Sequence, residues 1–175
     1  MWKRPVRTVM FCLLATLLLG ATIQAAEYYT KHKGDNRRGE LEEGHALVYV
    51  FRPATMGAAI KTWAFVDDDL MMVSKPKAYS FAQVPAGKHL FWTKSENTSA
   101  MELDVEAGET YYLQVKIKMG FNKARAKLLQ IDEAEAEKFF AKCSFVEPTE
   151  EGLARATEIV ANRKHRAEKK VAEKK

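Results

Sequence analysis

The sequence predicts an all-β fold: an antiparallel β-sandwich of about eight strands, with one short helix and one C-terminal helix. Segments 84–92 and 105–113 share one pattern, in which a valine precedes a tight turn closed by glycine and then an aromatic-rich strand. Glycine adopts the backbone angles of a tight turn without steric cost, so each segment is predicted to form a β-hairpin. Polar and apolar residues alternate over 101–106 and 111–119. Such alternation is typical of antiparallel strands with one wet face, and the regular strand spacing favours a sandwich.

Residues 1–25 predict a secretory signal peptide. Lys3, Arg4 and Arg7 precede an apolar run over 9–21, and small residues follow around Ala25. This is the layout of an export signal, and the run is shorter than the roughly 20 apolar residues of a spanning helix. The mature protein is therefore expected in the periplasm or outside the cell. The alternative is an uncleaved signal that anchors the chain in the inner membrane.

The β-sandwich domain is predicted to span residues 46–147, after a polar leader over 26–45 that has no periodicity and is expected to be loose. The first strand, 46–52, is apolar at successive positions, so it should be central and covered on both faces. Further strands are predicted over segments that are separated by proline, aspartate or glycine turns. Before the two glycine turns they cover 62–66, 70–73 and 78–84, and the last covers 124–131.

A short helix is predicted over 132–142, with Asp132 as N-cap and Glu135 placed to complete a capping box. The apolar residues that follow recur at spacings of three and four and form one stripe that ends at Cys143. A free cysteine in such a stripe is usually a small buried hydrophobe. The alternatives are a bridge to another chain and a reactive thiol.

Residues 148–175 predict a basic C-terminal helix or tail. Thr149 is placed to cap it, two glutamates follow, and a thin apolar stripe ends at Val160. Beyond Asn162 the chain is mostly lysine, arginine, glutamate and alanine, which suits a frayed helix or a disordered tail.

The charge of the chain is concentrated at its two ends. The full chain carries +5, of which three charges lie in the signal and five in Arg163–Lys175, so the body between them is at −3. A protein that reads nucleic acid should carry a basic face on its folded domain. The sequence therefore predicts no nucleic-acid partner.

Four segments, 46–53, 65–68, 84–89 and 103–112, resemble in this order the bacterial domain-of-unknown-function 2846 (DUF2846) family. The resemblance implies an exported or lipid-anchored protein with a β-sandwich similar in style to PEGA-type and transthyretin-like domains. It implies no catalytic residue, because no activity is attached to the family. This chain departs from the family pattern at the Asp-Gly turn, where Asp67-Asp68-Asp69 stands without the usual glycine.

The three aspartates invite a calcium interpretation, because hard cations bind carboxylate oxygens. Calcium loops space their ligands at alternate positions and also use carbonyls, so Asp67, Asp68 and Asp69 are more simply a solvated turn. The four histidines lie far apart, and no Gly-x-Ser-x-Gly elbow or phosphate-binding glycine loop is present in the sequence. No metal, cofactor or catalytic residue is predicted, and the protein is not expected to be an enzyme.

Two residues are candidates for binding. Arg52 ends a strand that is otherwise apolar, so its guanidinium must reach water, a carboxylate or carbonyls. A structural role at the sandwich rim is the favoured interpretation, and contact with an anion or partner is the alternative. Tyr112 lies on the polar face of its strand with Gln114 and Lys116, where an exposed aromatic could bind sugars or peptides.

Together these observations predict an exported, non-enzymatic module of the bacterial cell envelope that binds a partner protein or a cell-wall component. One alternative is a small periplasmic hydrolase with a site built from loops. Another is a structural protein that docks on an anionic surface through its basic C-terminal helix. Membrane contact is expected only through the signal peptide or this C-terminal tail.

Overall fold

The computed structural model describes residues 27–119 and 124–172, which form ten strands and two helices; the predicted signal peptide lies outside these residues. The larger sheet has six strands and the smaller has four. From edge to edge, the larger sheet contains β1 (Tyr29–His32), β10 (Ser144–Pro148), β5 (Ala78–Pro85), β2 (His45–Arg52), β8 (Thr110–Met119) and β9 (Ala124–Ile131). The smaller contains β4 (Asp69–Ser74), β3 (Thr62–Val66), β6 (Gly87–Lys94) and β7 (Thr98–Val105). The helices are α1 (Glu133–Phe140) and α2 (Glu150–Ala172).

The predicted all-β sandwich with a short helix and a C-terminal helix is confirmed. The larger sheet is mixed rather than purely antiparallel, because β8 pairs with β2 and β10 pairs with β5 in parallel. Alternation of polar and apolar residues does not distinguish the two pairings, since both bury every second side chain. The structure also has two strands that the sequence pattern does not indicate, β1 and β10, which pair with each other.

The main core lies between the two sheets. The larger sheet contributes the inward side chains of β2 and β8, and the smaller contributes aromatic and aliphatic side chains from β3, β4 and β6. Among the buried members are Val48, Val50, Leu113, Val115, Ala64, Met72 and Phe91. At about 25 cal/mol per Å² of buried apolar area, this core provides the main driving force for folding.

Each sheet is also covered over part of its outer face. Over the larger sheet, Phe140 of α1 packs edge-on against the rings of Phe51 and Tyr79, with centroids 4.7 and 5.0 Å away. The segment predicted as a loose leader is instead ordered on the same face. Its Arg38 lies 3.3 Å above the Phe140 ring, and the Tyr79 hydroxyl donates to the Arg37 carbonyl at 2.7 Å. The expectation that strand 46–52 is central and covered on both faces is confirmed.

Helix α2 covers the outer face of the smaller sheet. Its buried residues Ala156 and Val160 pack on an aromatic cluster in which the Phe65 and Trp92 rings stack at 4.1 Å. The helix begins after Thr149, whose hydroxyl accepts a hydrogen bond from the Gly152 amide at 3.2 Å. No helix in the described part of the chain combines the length and apolar character needed to cross a bilayer.

Backbone groups of the edge strand β9 are hydrogen-bonded by side chains from β7 and from the turn that precedes it. The Asn97 amide exchanges two hydrogen bonds with the Ala126 backbone, at 2.6 and 2.9 Å, and the Leu128 amide donates to Ser99 Oγ at 3.2 Å. An edge strand with free backbone groups is a template for pairing with another chain. Here those groups are occupied, so a partner that meets β9 at these positions must use its side chains.

Candidate binding surface

Arg52 ends β2 at the end of the sandwich where β5 and β10 begin, and its side chain is completely buried. Its Nη1 donates to the carbonyls of Ile60 and Ser74 at 2.6 and 2.9 Å and to Thr62 Oγ1 at 3.2 Å, and its Nη2 donates to the Gly57 carbonyl at 2.8 Å. Burial lowers its pKa to about 10, so the group remains a cation at neutral pH.

These contacts make Arg52 the anchor of the loop 53–61. The guanidinium fixes the loop at two carbonyls and joins it to the end of β4. This geometry corresponds to the structural interpretation of Arg52, because the side chain is completely buried and donates only to main-chain carbonyls and Thr62 of the domain itself. Its role at a binding surface can only be indirect, through the loop that it holds.

Tyr112 is half-buried rather than displayed on an open sheet face. Its ring stacks on Tyr49 with centroids 5.7 Å apart, within the aromatic layer beneath α1. Burial raises the pKa of its hydroxyl, with a further contribution from Glu133 in the first turn of α1. The aromatic platform expected on this face is therefore the packing surface of α1.

The aspartate run forms the turn between β3 and β4. Asp67 adopts a left-handed φ of 49°. Its carboxylate accepts the Leu90 amide at 2.9 Å and approaches His89 Nδ1 at 2.7 Å, while its carbonyl accepts Trp92 Nε1 at 2.7 Å. Asp69 begins β4. In the described part of the chain, no group of three or more His, Cys, Asp or Glu side chains is arranged to hold a metal ion.

The Asp67–His89 contact joins this turn to β6. His89 Nε2 lies 2.9 Å from the Pro85 carbonyl oxygen, so the ring lies between this oxygen and the Asp67 carboxylate. Burial acts to raise the pKa of Asp67, but the hydrogen bonds from His89 and Leu90 outweigh it and lower the pKa. The Arg163 guanidinium of α2 lies 4.3 Å above the Trp92 ring and adds to this lowering.

Substitution Asp67→Asn is expected to destabilise the domain more above about pH 5 than near pH 3. A carboxyl whose folded-state pKa is lowered stabilises the fold above its unfolded pKa of about 3.9, and this contribution disappears as the pH falls through the folded value. The expected loss is below about 1 kcal/mol, because half of the side chain is exposed. Urea unfolding at the two pH values tests this, and an equal loss at both would contradict it.

Cys143 is buried in the layer beneath α1, as the helical stripe predicts. Burial raises the pKa of its thiol to about 11, against the opposing effect of Lys31, Lys77 and Lys142. Since the thiolate is the reactive species, the cysteine is inert in the folded state at neutral pH. This agrees with the interpretation of Cys143 as a small buried hydrophobe.

Four exposed cations lie together on the outer face of β8 and β9. The buried neighbours Val115, Ile117, Ala126 and Leu128 point into the sandwich, so the alternate residues point outward. The strand register places Lys116 opposite Lys127 and Lys118 opposite Arg125. We call these four residues the basic surface. Among the described residues, none of the four takes part in an ion pair.

This arrangement lowers the stability of the strand pair. Directly opposed side chains have Cβ atoms about 5 Å apart, and like charges in such pairs are destabilising. Other exposed cations of the domain, such as Arg37 and Arg38, are paired with Glu147 and Glu137. A local arrangement that opposes stability without a compensating contact is typical of a functional surface, and its chemistry suits an anion.

The loop 53–61 lies at the same end of β8 as this surface. Gly57 has φ of 70°, and a side chain there would contact Ile117, which lies between Lys116 and Lys118 in the strand. The neighbouring Met56 is 52% exposed. Ile117 points into the sandwich, so the loop covers this end of the core, and its exposed Met56 lies at the end of the sandwich at which Lys118 also lies.

Residues 42–128 match a family model described as "Protein of unknown function (DUF2846)". The chain belongs to the DUF2846 family. The matched DUF2846 region contains β2 to β8 and most of β9, and with them the loop 53–61 and all four cations of the basic surface. It leaves out β1, α1, β10 and α2.

This DUF2846 protein is also similar to a Haemophilus influenzae protein named "Uncharacterized protein", with 29% identity over 102 residues. The aligned region covers 58% of this chain, which spans about three fifths (61%) of the length of that relative.

The basic surface is the feature that reasoning from sequence missed. Its signal is present in the sequence as two pairs of alternating cations, at 116 and 118 and at 125 and 127, and only the first pair lies on the wet face predicted for strand 111–119. The pairing register of β8 with β9 is needed to show that the cations face one another.

Proposed function

We propose that this protein is an exported, non-enzymatic binding module of the bacterial cell envelope that binds an anionic partner through its basic surface. The observation that supports the proposal is the pair of directly opposed cations, Lys116 with Lys127 and Lys118 with Arg125, all exposed and without an ion pair in the described residues. An anion laid across the strand pair would neutralise the repulsion between them.

Export is supported by the predicted signal peptide over residues 1–25. The position of the N-terminus in the mature protein tests it. Cleavage after Ala25 or Ala26 is expected, with the mature protein in the fraction released by osmotic shock. The measurement is the intact mass of protein recovered from each cell fraction. Full-length protein recovered from the cell interior would contradict the export part of the proposal.

Binding at the basic surface should be sensitive to salt and should not require a deep pocket. Lysine ammonium groups act as point charges, and the Debye length is about 8 Å at physiological ionic strength. Multivalent anions that present phosphate or carboxylate groups at several positions fit four exposed cations better than one small anion. The repulsion between the opposed cations gives a second, independent expectation. Replacing two of the lysines by neutral residues should not lower the stability of the fold.

The variant Lys116→Gln/Lys127→Gln is expected to bind labelled inorganic polyphosphate about tenfold more weakly, since two of four charge contacts are lost. Its stability should equal or exceed that of the wild type, because a like-charge pair is removed. Fluorescence anisotropy at low and high salt measures the binding, and urea unfolding measures the stability.

The matched control is Lys75→Gln/Lys88→Gln, which makes the same change in net charge at exposed positions outside β8 and β9. It should bind polyphosphate like the wild type. Equal binding by both double variants would show that net charge alone is responsible, and would contradict a binding role for the basic surface.

A further inference from the structure

We infer that the partner of the basic surface is a bilayer surface of anionic phospholipids, onto which the protein docks with β8, β9 and the loop 53–61. This inference rests on the proposed function and adds the identity of the occupant. It also places membrane contact on the folded domain rather than on the signal peptide or the basic tail alone.

The shape of the surface favours an extended, flat occupant. Neighbouring strands lie about 4.8 Å apart and alternate residues along a strand about 6.8 Å apart, so the four side chains leave the sheet as a small planar array. All four are exposed. A small anion would contact one or two of them, whereas a layer of phosphate headgroups contacts all four.

The residue types argue against a protein partner. Three of the four cations are lysines, and lysine is depleted from protein–protein interfaces, where arginine and aromatic anchors are enriched. The aromatic side chains on the outer face of this sheet, Tyr49 and Phe51 among them, are already buried beneath α1 and the leader. Lysines near an anionic leaflet, by contrast, each add to membrane affinity.

The same aromatic burial argues against single-stranded nucleic acid. Proteins that bind single strands combine cations with aromatic rings on which bases stack. Tyr112, the aromatic residue of β8 nearest to the basic surface along the outer face, is stacked on Tyr49. The body of the chain is also acidic, at −3, so the attraction for a long polyanion is confined to one small area.

Met56 supplies an apolar contact that headgroup phosphates alone do not explain. It is 52% exposed, and Arg52 and the Gly57–Ile117 contact hold its loop at the end of β8 that carries Lys116 and Lys118. Surfaces that bind the bilayer interface combine cations with apolar side chains that enter the headgroup boundary. A single methionine predicts weak, reversible docking rather than insertion.

The test is sedimentation of the protein, in the form recovered from cells, with vesicles of mixed phosphatidylglycerol and phosphatidylcholine or of phosphatidylcholine alone. A retained signal peptide would bind both vesicle types, so the difference in binding between the two types measures the charge-dependent part of the binding. Lys116→Gln/Lys127→Gln is expected to weaken binding to the anionic vesicles about 25-fold, at about fivefold per lysine. Lys75→Gln/Lys88→Gln should bind like the wild type.

Met56→Ser separates membrane docking from simple anion binding. It is expected to weaken binding to anionic vesicles about fivefold, the cost of losing one apolar contact, and to leave polyphosphate binding unchanged. If wild-type protein binds both vesicle types equally but still binds polyphosphate through Lys116 and Lys127, the membrane inference is overturned and the proposed function stands. If the wild-type protein binds neither anionic vesicles nor polyphosphate, both the membrane inference and the proposed function are overturned.

Two other outcomes also decide against the membrane. Vesicle binding that is the same in wild type and Lys116→Gln/Lys127→Gln would assign docking to another segment, such as the basic tail. Tighter binding to a single-stranded DNA oligomer than to anionic vesicles at the same salt would assign the surface to nucleic acid.

Discussion

Substitution Arg52→Met is expected to destabilise the domain by about 3–5 kcal/mol. The guanidinium satisfies the carbonyls of Gly57, Ile60 and Ser74, and a methionine side chain fills the space without a donor. A hydrogen bond to a charged group contributes about 1.5–3 kcal/mol, and all four bonds of the guanidinium are lost together. The Ile60 carbonyl loses its donor, while the Gly57 carbonyl keeps the Ile60 amide at 2.9 Å and the Ser74 carbonyl keeps the Thr62 hydroxyl at 3.4 Å. Relaxation of the loop toward water recovers part of this, which keeps the expected loss below the sum.

Urea unfolding measures the effect of Arg52→Met, and Arg52→Lys gives a graded comparison. Lysine keeps the charge but its single ammonium cannot reach all four acceptors, so an intermediate loss is expected. Thr93→Val is the control for altering a buried polar group, because the Thr93 hydroxyl has no hydrogen-bond partner among the described residues. It should be neutral or stabilising. A loss below about 1 kcal/mol for Arg52→Met would show that the loop is not anchored by these bonds.

The same variant connects the fold to the proposed binding. Without Arg52 the loop 53–61 loses two of its fixed carbonyls, while Lys116 and Lys127 remain on a strand pair that the substitution does not touch. Binding to polyphosphate should therefore survive in Arg52→Met under conditions where it is folded, and binding to anionic vesicles should fall as it does in Met56→Ser.

The main strands could be predicted from sequence because their signals are local. The alternation in β7 and β8 and the apolar run in β2 follow directly from which faces are buried. The cap at Asp132 is also local: its side chain accepts the Glu135 amide at 2.7 Å, as the capping pattern predicts.

The remaining elements depend on partners that are distant in sequence. β1 is a short polar segment, and it is a strand because it pairs with β10 near the other end of the chain. The apolar run of β2 predicts a second covered face, but the cover itself comes from α1 and the leader. Strand propensity measures fit to such surroundings more than an intrinsic preference, so no local pattern could identify β1.

The candidate site shows the same division. Arg52 stood out in the sequence as a charge at the end of an apolar strand, but its acceptors are main-chain carbonyls, which a sequence does not reveal. Each cation of the basic surface could be identified in the sequence. Their opposition, which makes the surface costly to the fold, depends on the strand register.

Substitution Gly152→Ala is expected to destabilise the domain by about 2 kcal/mol, opposite in sign to the effect of helix propensity. In an ordinary helix this change gains up to about 1 kcal/mol. Here an added Cβ would overlap the Tyr28 carbonyl oxygen. That oxygen is fixed, because it accepts the Thr149 amide at 3.1 Å and the next residue, Tyr29, pairs with Pro148 of β10. Overpacking against backbone costs about 1–3 kcal/mol, so we expect the steric effect to outweigh the propensity gain.

Urea unfolding measures the stability of Gly152→Ala, and amide hydrogen exchange over residues 150–163 shows whether α2 has moved from the smaller sheet. Faster exchange is expected there, since Ala156 and Val160 hold the helix on the Phe65–Trp92 stack only through a thin stripe. Leu153→Ala is the matched control at the next position, where the side chain is 51% exposed. It should change stability by less than about 1 kcal/mol. A Gly152→Ala protein more stable than the wild type would mean that propensity governs this turn and that α2 does not need its close approach to Tyr28.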